Sequence, residues 1–353
     1  MIVIMQNLIS FIFEYLPVYL TFAIIAVCCY IGLYVFMVYK QKKGIVKMRK
    51  VYDSVTKLVG KTPMFEFAQL KKRLKLKANV FGKCEFYNPL FSIKDRAALS
   101  MIEAFELKNS EKNDVMFIEA TSGNVGVAMA AMCAAKGFKS LLVMPEDTSV
   151  EKIKMIKHLG ADVILTPKED GMKGAIAKAE MLAAKSDRVV MLKQFENHAN
   201  ADAHLFGTST EILADMGGEV DVVVASVGTS GTLAGIAKAL KSTNSELYVV
   251  AVEPKKSNVL NGGEKGLHNI PGIGAGFVPP LYPKDLVDEV YDVEDDDAWD
   301  MARLIAQTEG LPIGISAGAA MVAAIDLAMR EAFKNKNIVV VLPDGVVNYL
   351  SSL

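Results

Sequence analysis

Cysteine is scarce in this chain: there are four in 353 residues, the adjacent Cys28 and Cys29 in an apolar N-terminal segment, then Cys84 and Cys133 far apart. Four is too few for a disulfide framework and no CxxC pairing offers a metal site, so packing roles in a reducing compartment are expected. An excess of either charge is missing too. Lysine and arginine number 39 against 40 aspartates and glutamates, a formal net charge of −1. Without a basic field there is no general grip on nucleic acid, which leaves small molecules as the expected ligands. Short internal repeats and low-complexity tracts are also lacking, which excludes a repeat array.

One more absence is local. From Tyr15 to Tyr39 there is no charged residue, and "VYLTFAIIAVCCYIGLYVFMV" (Val18 to Val38) would, as a helix, span about 30 Å of hydrocarbon. Lys40, Lys42, Lys43, Lys47, Arg49 and Lys50 come after it, whereas Glu14 is the only charged side chain before it. A cleaved signal peptide would carry a basic n-region and a shorter apolar run. The pattern therefore predicts an anchor over residues 1–39, a basic linker over 40–54 and a catalytic domain over 55–353. By the positive-inside tendency the catalytic domain would face the cytosol, on the endoplasmic reticulum or the mitochondrial outer membrane.

Beyond the linker the chain is rich in β-branched runs. Candidate strands are "VMFIEA" (Val115 to Ala120), "SLLVMP" (Ser140 to Pro145), "DVILTP" (Asp162 to Pro167), "VDVVVASVG" (Val220 to Gly228), "LYVVAVEP" (Leu247 to Pro254) and "NIVVVLP" (Asn337 to Pro343). Helical spacing of apolar residues fills Val125 to Lys136, Val150 to Leu159 and Gly174 to Lys185. Strands apolar on both faces and separated by helices specify an α/β fold with parallel sheets and crossover helices. The acidic run "DVEDDDAWD" (Asp292 to Asp300) reads as a solvated turn and helix start, since consecutive acids cannot converge on one cation.

Ligands of open α/β sheets bind beyond the carboxyl ends of the strands, so the loops there matter most. "EATSGNVG" (Glu119 to Gly126) puts hydroxyls, an amide and free backbone N–H groups on one strand-to-helix turn, a place for a carboxylate or a helix cap. "GTSGT" (Gly228 to Thr232) lets backbone amides approach a phosphate at a helix start, although a glycine-rich turn can also be mere geometry. "GISAGAA" (Gly314 to Ala320) sets Ser316 near another helix start, where capping is its ordinary role. Lys94, in "NPLFSIKDRAALS" (Asn88 to Ser100), would alone be a solvated charge. Together, a reactive lysine, a phosphate cradle, a carboxylate turn and a helix-start serine are the parts a pyridoxal 5'-phosphate site needs.

With "GKTPM", "NPLFSIKDR", "EATSGNVG", "QFENHANADAH", "VASVGTSGT", "GIGAGFVP", "EGLPIGISAGAA" and "VVLPDG" in collinear order, the chain from about Val55 onward resembles the fold type II pyridoxal-phosphate enzymes. Within them it resembles the cysteine synthase and cystathionine β-synthase family, and its cysteine synthase (O-acetylserine sulfhydrylase) branch most. The resemblance implies two open, twisted, mainly parallel sheet subdomains with the cofactor between them, and a homodimer. Lys94 would hold the cofactor as a Schiff base and act in catalysis. Asn124 would bond the ring hydroxyl, Gly228, Thr229, Ser230, Gly231 and Thr232 would cradle the phosphate, and Ser316 would meet the pyridine nitrogen. Thr121, Ser122, Gly123 and Asn124 would grip the substrate carboxylate with help from Gln194, and the loop around Gly274 would line the site.

The activity so implied is β-replacement: O-acetyl-L-serine loses acetate to leave an enzyme-bound aminoacrylate, to which sulfide adds to give L-cysteine. Serine with homocysteine, cysteine with cyanide, and a cofactor-binding sensor without turnover are the alternatives. Several residues depart from the family pattern. Leu90 and Phe91 replace small residues and would reshape the pocket mouth, Val125 replaces a threonine, Ser230 replaces a glycine in the cradle, and Gly207 to Thr210 reads "GTST" where the family has Thr-Thr.

Overall fold

The computed structural model describes residue 5 and residues 27–35, 51–111 and 114–352, and the chain divides into two units, Met1–Asp53 and Ser54–Leu353. In the first unit residues 27–35 are helical. The rest of the apolar span expected to form an anchor over 18–38 lies outside the described residues. Among the described residues no helix is long and apolar enough to cross a membrane. The expected single-pass membrane location, with its cytosol-facing orientation, is overturned on this finding.

The second unit contains two sheets. The larger has six strands: β1 (Met64–Glu66), β2 (Asn79–Cys84), β7 (Val222–Ser226), β8 (Tyr248–Pro254), β9 (Glu289–Val293) and β10 (Asn337–Leu342), in the order β1-β2-β10-β7-β8-β9. Only β1 runs antiparallel to its neighbour. The smaller is the parallel set β5-β4-β3-β6, made of β3 (Met116–Ala120), β4 (Lys139–Pro145), β5 (Asp162–Thr166) and β6 (Val189–Met191). The chain starts in the large sheet, builds the small one, and returns. The two subdomains are therefore interleaved in sequence.

The helices, in chain order, are α1 (Ala68–Leu74), α2 (Lys94–Lys108), α3 (Asn124–Lys136), α4 (Val150–His158), α5 (Gly171–Ala183), α6 (His198–Ala203), α7 (Ser209–Asp215), α8 (Gly231–Thr243), α9 (Asp295–Glu309) and α10 (Ile315–Met329). The acidic run opens α9, with Asp295, Asp296 and Asp297 in its first turn, where the helix dipole favours negative charge.

Unbroken valine runs in β7 and β10 reflect burial of both sheet faces. Val222, Val224, Ile338, Val340 and Leu342 pack on one core, while Val223, Ala225, Val339 and Val341 pack on the other. Period-two alternation thus feeds two hydrophobic layers instead of one layer and solvent. Between them these layers remove several whole side chains per strand from water, each worth roughly 1.5–3 kcal/mol. α10 is largely apolar because it is an inner helix, with Ala317, Ala320, Ala324 and Ala328 buried in the core.

Four strands, β1, β2, β6 and β9, lie outside the runs singled out in the sequence. β1 and β6 are three residues long, below any periodicity, and β2 interrupts its pattern with Gly82 and the fully buried Lys83. A Cβ at position 82 would stand 2.6 Å from Leu342 Cδ1, so glycine is required where β2 and β10 side chains interlock.

Candidate active site

The carboxyl ends of β3, β7 and β10 converge on one cavity. Its outer part is about 880 Å³, and an inner chamber of about 40 Å³ continues from it. Lys94, Asn124, Gly228, Thr229, Gly272 and Tyr349 line both.

Lys94 is the first residue of α2, and its position is set by the chain just before it. Phe91 takes a left-handed φ of 65°, Ile93 N donates to Pro343 O at 2.8 Å, and Ser92 bridges to Asp344. The helix start is thereby pinned to the end of β10. The Lys94 side chain reaches the chamber, where no described residue accepts a hydrogen bond from its Nζ. Burial pushes this amine below the usual lysine range, with the nearby Asp344 carboxylate partly opposing the shift. An amine so shifted gives up its proton more readily than a solvated lysine, which favours its nucleophilic form. Lys94 is therefore only partly exposed, its tip meeting the cavity instead of the outer surface.

Glycine geometry shapes the far wall. A Cβ on Gly228 would lie 2.5 Å from Gly272 O, and one on Gly231 would lie 2.3 Å from Asn200 Oδ1, so neither position admits a side chain. Ser230 sits between them in the left-handed region, at φ 69°, and caps α8. Its hydroxyl is buried with no hydrogen-bond partner. Thr229 Oγ1 accepts from Asn200 Nδ2 at 2.9 Å, and Thr232 Oγ1 lies 3.3 Å from His204 Nε2. His204 is held in turn by Thr208 Oγ1, 2.9 Å from Nδ1, in a π-helical turn His204–Thr208. Burial, then the charges of Arg96 and Lys94, keep that imidazole neutral by moving its pKa well down.

Thr121 to Asn124 form the loop between β3 and α3. Gly123 N donates to Thr121 Oγ1 at 3.0 Å, Ser122 is exposed, and Asn124 opens the helix. Gln194 lies behind this turn, its Nε2 donating to Ala120 O at 3.2 Å. Ser316 lies in the first turn of α10 and lines the inner chamber opposite Lys94, with its carbonyl accepting from Ser226 Oγ at 2.7 Å. Gly274, in the loop along the outer cavity, donates its N–H to Val227 O at 3.0 Å. All the residues singled out in the sequence therefore belong to one region. Gly231 is the exception in detail, since it supports the cradle without lining the cavity.

Leu90 and Phe91 do not reshape the mouth as expected. Phe91 is half exposed and Leu90 packs towards the core beside α2, and neither lines the cavity. Conversely, three lining residues were not singled out as site residues in the sequence. Asp344 comes after β10 and accepts from Asn124 Nδ2 at 2.7 Å and from the Tyr349 hydroxyl at 2.5 Å, both on Oδ2. Burial raises its pKa, against those hydrogen bonds and the neighbouring cations. The strand-end rule applied to "LPDG" would have found it. Tyr349 and Lys152 had no comparable clue.

A lysine whose amine ends in the cavity, an anion cradle, a helix-start serine and a donor-rich turn lining the same space define a site for a carbonyl-bearing phosphate cofactor. Residues 55–344 match the family described as pyridoxal-phosphate dependent enzyme, and the chain belongs to that family. It is similar to cysteine synthase B of Campylobacter jejuni, with 43% identity over 303 residues, 86% of this chain and 98% of that protein. Among solved structures it is similar to the cysteine synthase of Entamoeba histolytica, with a TM-score of 0.83 and 36% identity, covering 86% of this chain and 91% of that one. It is also similar to an O-acetylserine-dependent cystathionine β-synthase from Helicobacter pylori, with a TM-score of 0.80 and 34% identity over 85% of this chain and 98% of that one.

The residues present fit pyridoxal phosphate. The unpartnered Ser230 hydroxyl and the N-terminus of α8 offer donors where a phosphate would sit, and Gly228 and Gly231 leave backbone exposed there. Lys94 supplies the amine that an aldehyde requires.

Proposed function

We propose that this chain forms L-cysteine and acetate from O-acetyl-L-serine and sulfide by pyridoxal-phosphate-dependent β-replacement. The observation that carries the reading is the Lys94 amine, pushed below the usual lysine range and without a hydrogen-bond acceptor among the described residues, lining one cavity with the glycine cradle and the Thr121–Asn124 turn. When bound, the cofactor supplies an aldehyde for the amine and an aromatic ring that withdraws charge from the substrate Cα.

In this reading Gly228, Thr229, Ser230, Gly231 and Thr232 hold the phosphate, supported by the helix dipole of α8. Ser316 meets the ring nitrogen with a neutral hydroxyl, which stabilises positive charge there less than a carboxylate would and so favours departure of a β-substituent. Asn124 gives one amide N–H to Asp344 and keeps the rest of its amide for the ring hydroxyl. The Thr121–Asn124 turn and Gln194 hold the substrate carboxylate. The freed Lys94 amine takes the Cα proton, and burial favours the form that can accept one. Acetate leaves from Cβ with its bonding electron pair, and the sulfur nucleophile takes that place.

The catalytic part is residues 55–353, preceded by a basic linker over 40–54, and it assembles as a homodimer; the unit Ser54–Leu353 supports the first statement and the family resemblance the second. The outer cavity of about 880 Å³ exceeds what hydrosulfide needs. That volume supports one second reading, in which a bulkier thiol such as homocysteine is the nucleophile.

The test uses the purified chain loaded with pyridoxal phosphate. Borohydride reduction followed by peptide mass mapping places the cofactor on Lys94, and Lys94→Ala abolishes both the attachment and cysteine formation. Attachment at another lysine, or no cysteine from O-acetylserine and sulfide, overturns the proposal. Faster turnover with homocysteine than with sulfide selects the second reading.

A further inference from the structure

The outer cavity wall holds a second amine that none of the roles above employs. Lys152 lies in the first turn of α4, where its backbone N–H bonds the capping Ser149 hydroxyl at 3.3 Å. Its side chain runs inward from there. Nζ lies 5.1 Å from the centroid of the Tyr349 ring and 3.4 Å from where a Cβ on Gly123 would stand. Tyr349, only 5% exposed, is fixed by its hydroxyl bond to Asp344.

The aromatic face thus holds the ammonium beside the Thr121–Asn124 turn, and a ring face satisfies none of its three N–H donors fully. Asp344 is the nearest counter-charge, but the bonds it makes go to Asn124 and Tyr349. No described residue forms a hydrogen bond or an ion pair with Lys152 Nζ. Burial lowers its pKa, with Asp344 opposing. The neighbouring Val125 is buried and offers no hydroxyl to the turn, so the cation supplies the missing donor.

We infer that Lys152 is a substrate-reading residue whose ammonium binds the α-carboxylate of the amino acid held at the Thr121–Asn124 turn, in a niche closed by Tyr349. The inference rests on the proposed reading of that turn as the carboxylate subsite. It has a physical consequence beyond affinity. An aminoacyl amide or ester would leave the ammonium unpaired in a partly dehydrated niche, so the site rejects substrates lacking the free carboxylate.

The test is equilibrium titration of the cofactor-loaded enzyme with L-serine and with L-serinamide, which keeps the amine and side chain but lacks the anion, monitored by cofactor absorbance. Wild type prefers serine. Lys152→Met weakens serine binding about tenfold, the scale of one charge-assisted hydrogen bond, and leaves serinamide unchanged. Lys152→Arg restores most of the preference, and in turnover KM for O-acetylserine rises while kcat changes little. A responding wild type with the same serine preference in Lys152→Met overturns the role of Lys152 alone, as does an equal loss for both ligands. A loss confined to O-phospho-L-serine assigns the amine to the substrate's side-chain end and overturns it too. A wild type that responds to neither ligand overturns the reading of the whole site.

Discussion

Two cations stand two residues apart at the start of α2 and serve opposite ends. Residues at i and i+2 of a helix point to different sides. Arg96 turns into a closed cluster: its Nε donates to Glu85 Oε2 at 2.6 Å, its Nη atoms to Glu211 at 2.7 Å, and Nη2 also to Thr62 Oγ1 at 3.2 Å. Lys83, fully buried, completes the cluster through Asp215 at 2.8 Å and Glu211 at 3.1 Å. Lys94 turns into the cavity and meets no acceptor among the described residues. A buried charge with its donors met ties chain segments together, here the end of β2, α7 and the turn at Thr62. An amine in a cavity with its donors unmet holds its proton less firmly and is more reactive.

The contrast breaks first under substitution of these two residues. Arg96→Ala strands Glu85 and Glu211 and lowers stability by about 3–5 kcal/mol in urea unfolding, the cost of leaving buried partners uncompensated. Lys94→Met leaves the cofactor-free protein equally stable or more so, because it removes an amine that burial already disfavours. Similar losses in both variants would erase the distinction.

Glu119 extends the comparison to a carboxylate. It lies behind the Thr121–Asn124 turn with Oε2 unpartnered, and burial, against backbone N–H groups, pushes it up to about 8. Its folded pKa is above the unfolded one, so its contribution is full at low pH and lost as pH rises through the folded value. Between about pH 5 and pH 8 the contribution of this group falls with pH, and Glu119→Gln removes that decline, on the order of 3 kcal/mol over the range. Chemical denaturation across this range measures it, and an unchanged slope would show that the carboxylate stays ionised.

The smallest effect sharpens the comparison within the cradle. Ser230 holds a left-handed backbone and an unmet hydroxyl. Ser230→Gly relaxes the backbone and raises cofactor-free stability by about 0.5–1 kcal/mol. It also loses one phosphate donor, so the cofactor dissociates about fivefold more readily, a cost of about 1 kcal/mol. Thermal melts with and without pyridoxal phosphate separate the two effects, and equal shifts in both states would sink the assignment of the hydroxyl to the phosphate.

The legible part of the site was the part where local chemistry and strand ends coincide. Lys94, the Thr121–Asn124 turn, the Gly228–Thr232 loop and Ser316 each open a helix, so capping groups and glycines flagged them. Lys152 also opens a helix, but a lysine there is ordinarily solvated, and only the distant Tyr349 makes its position unusual. Leu90 and Phe91 misled in the reverse sense. Their size is visible in sequence, while their direction depends on the left-handed turn at Phe91. The apolar N-terminal stretch was legible as hydropathy alone; most of it lies outside the described residues, among which no helix is long and apolar enough to cross a membrane.

By itself the amino-acid order determined the α/β class, the doubly buried strands and the helix starts that carry the phosphate and carboxylate donors, since periodicity and capping act over a few residues. Tertiary structure alone decided which of two neighbouring cations became reactive. Whether Lys94 or Arg96 finds carboxylates depends on Glu85 and Glu211, which the fold brings from 11 and 115 residues away, and on Asp344, delivered by the last strand. Desolvation is a property of the surroundings in space, and no local pattern encodes it.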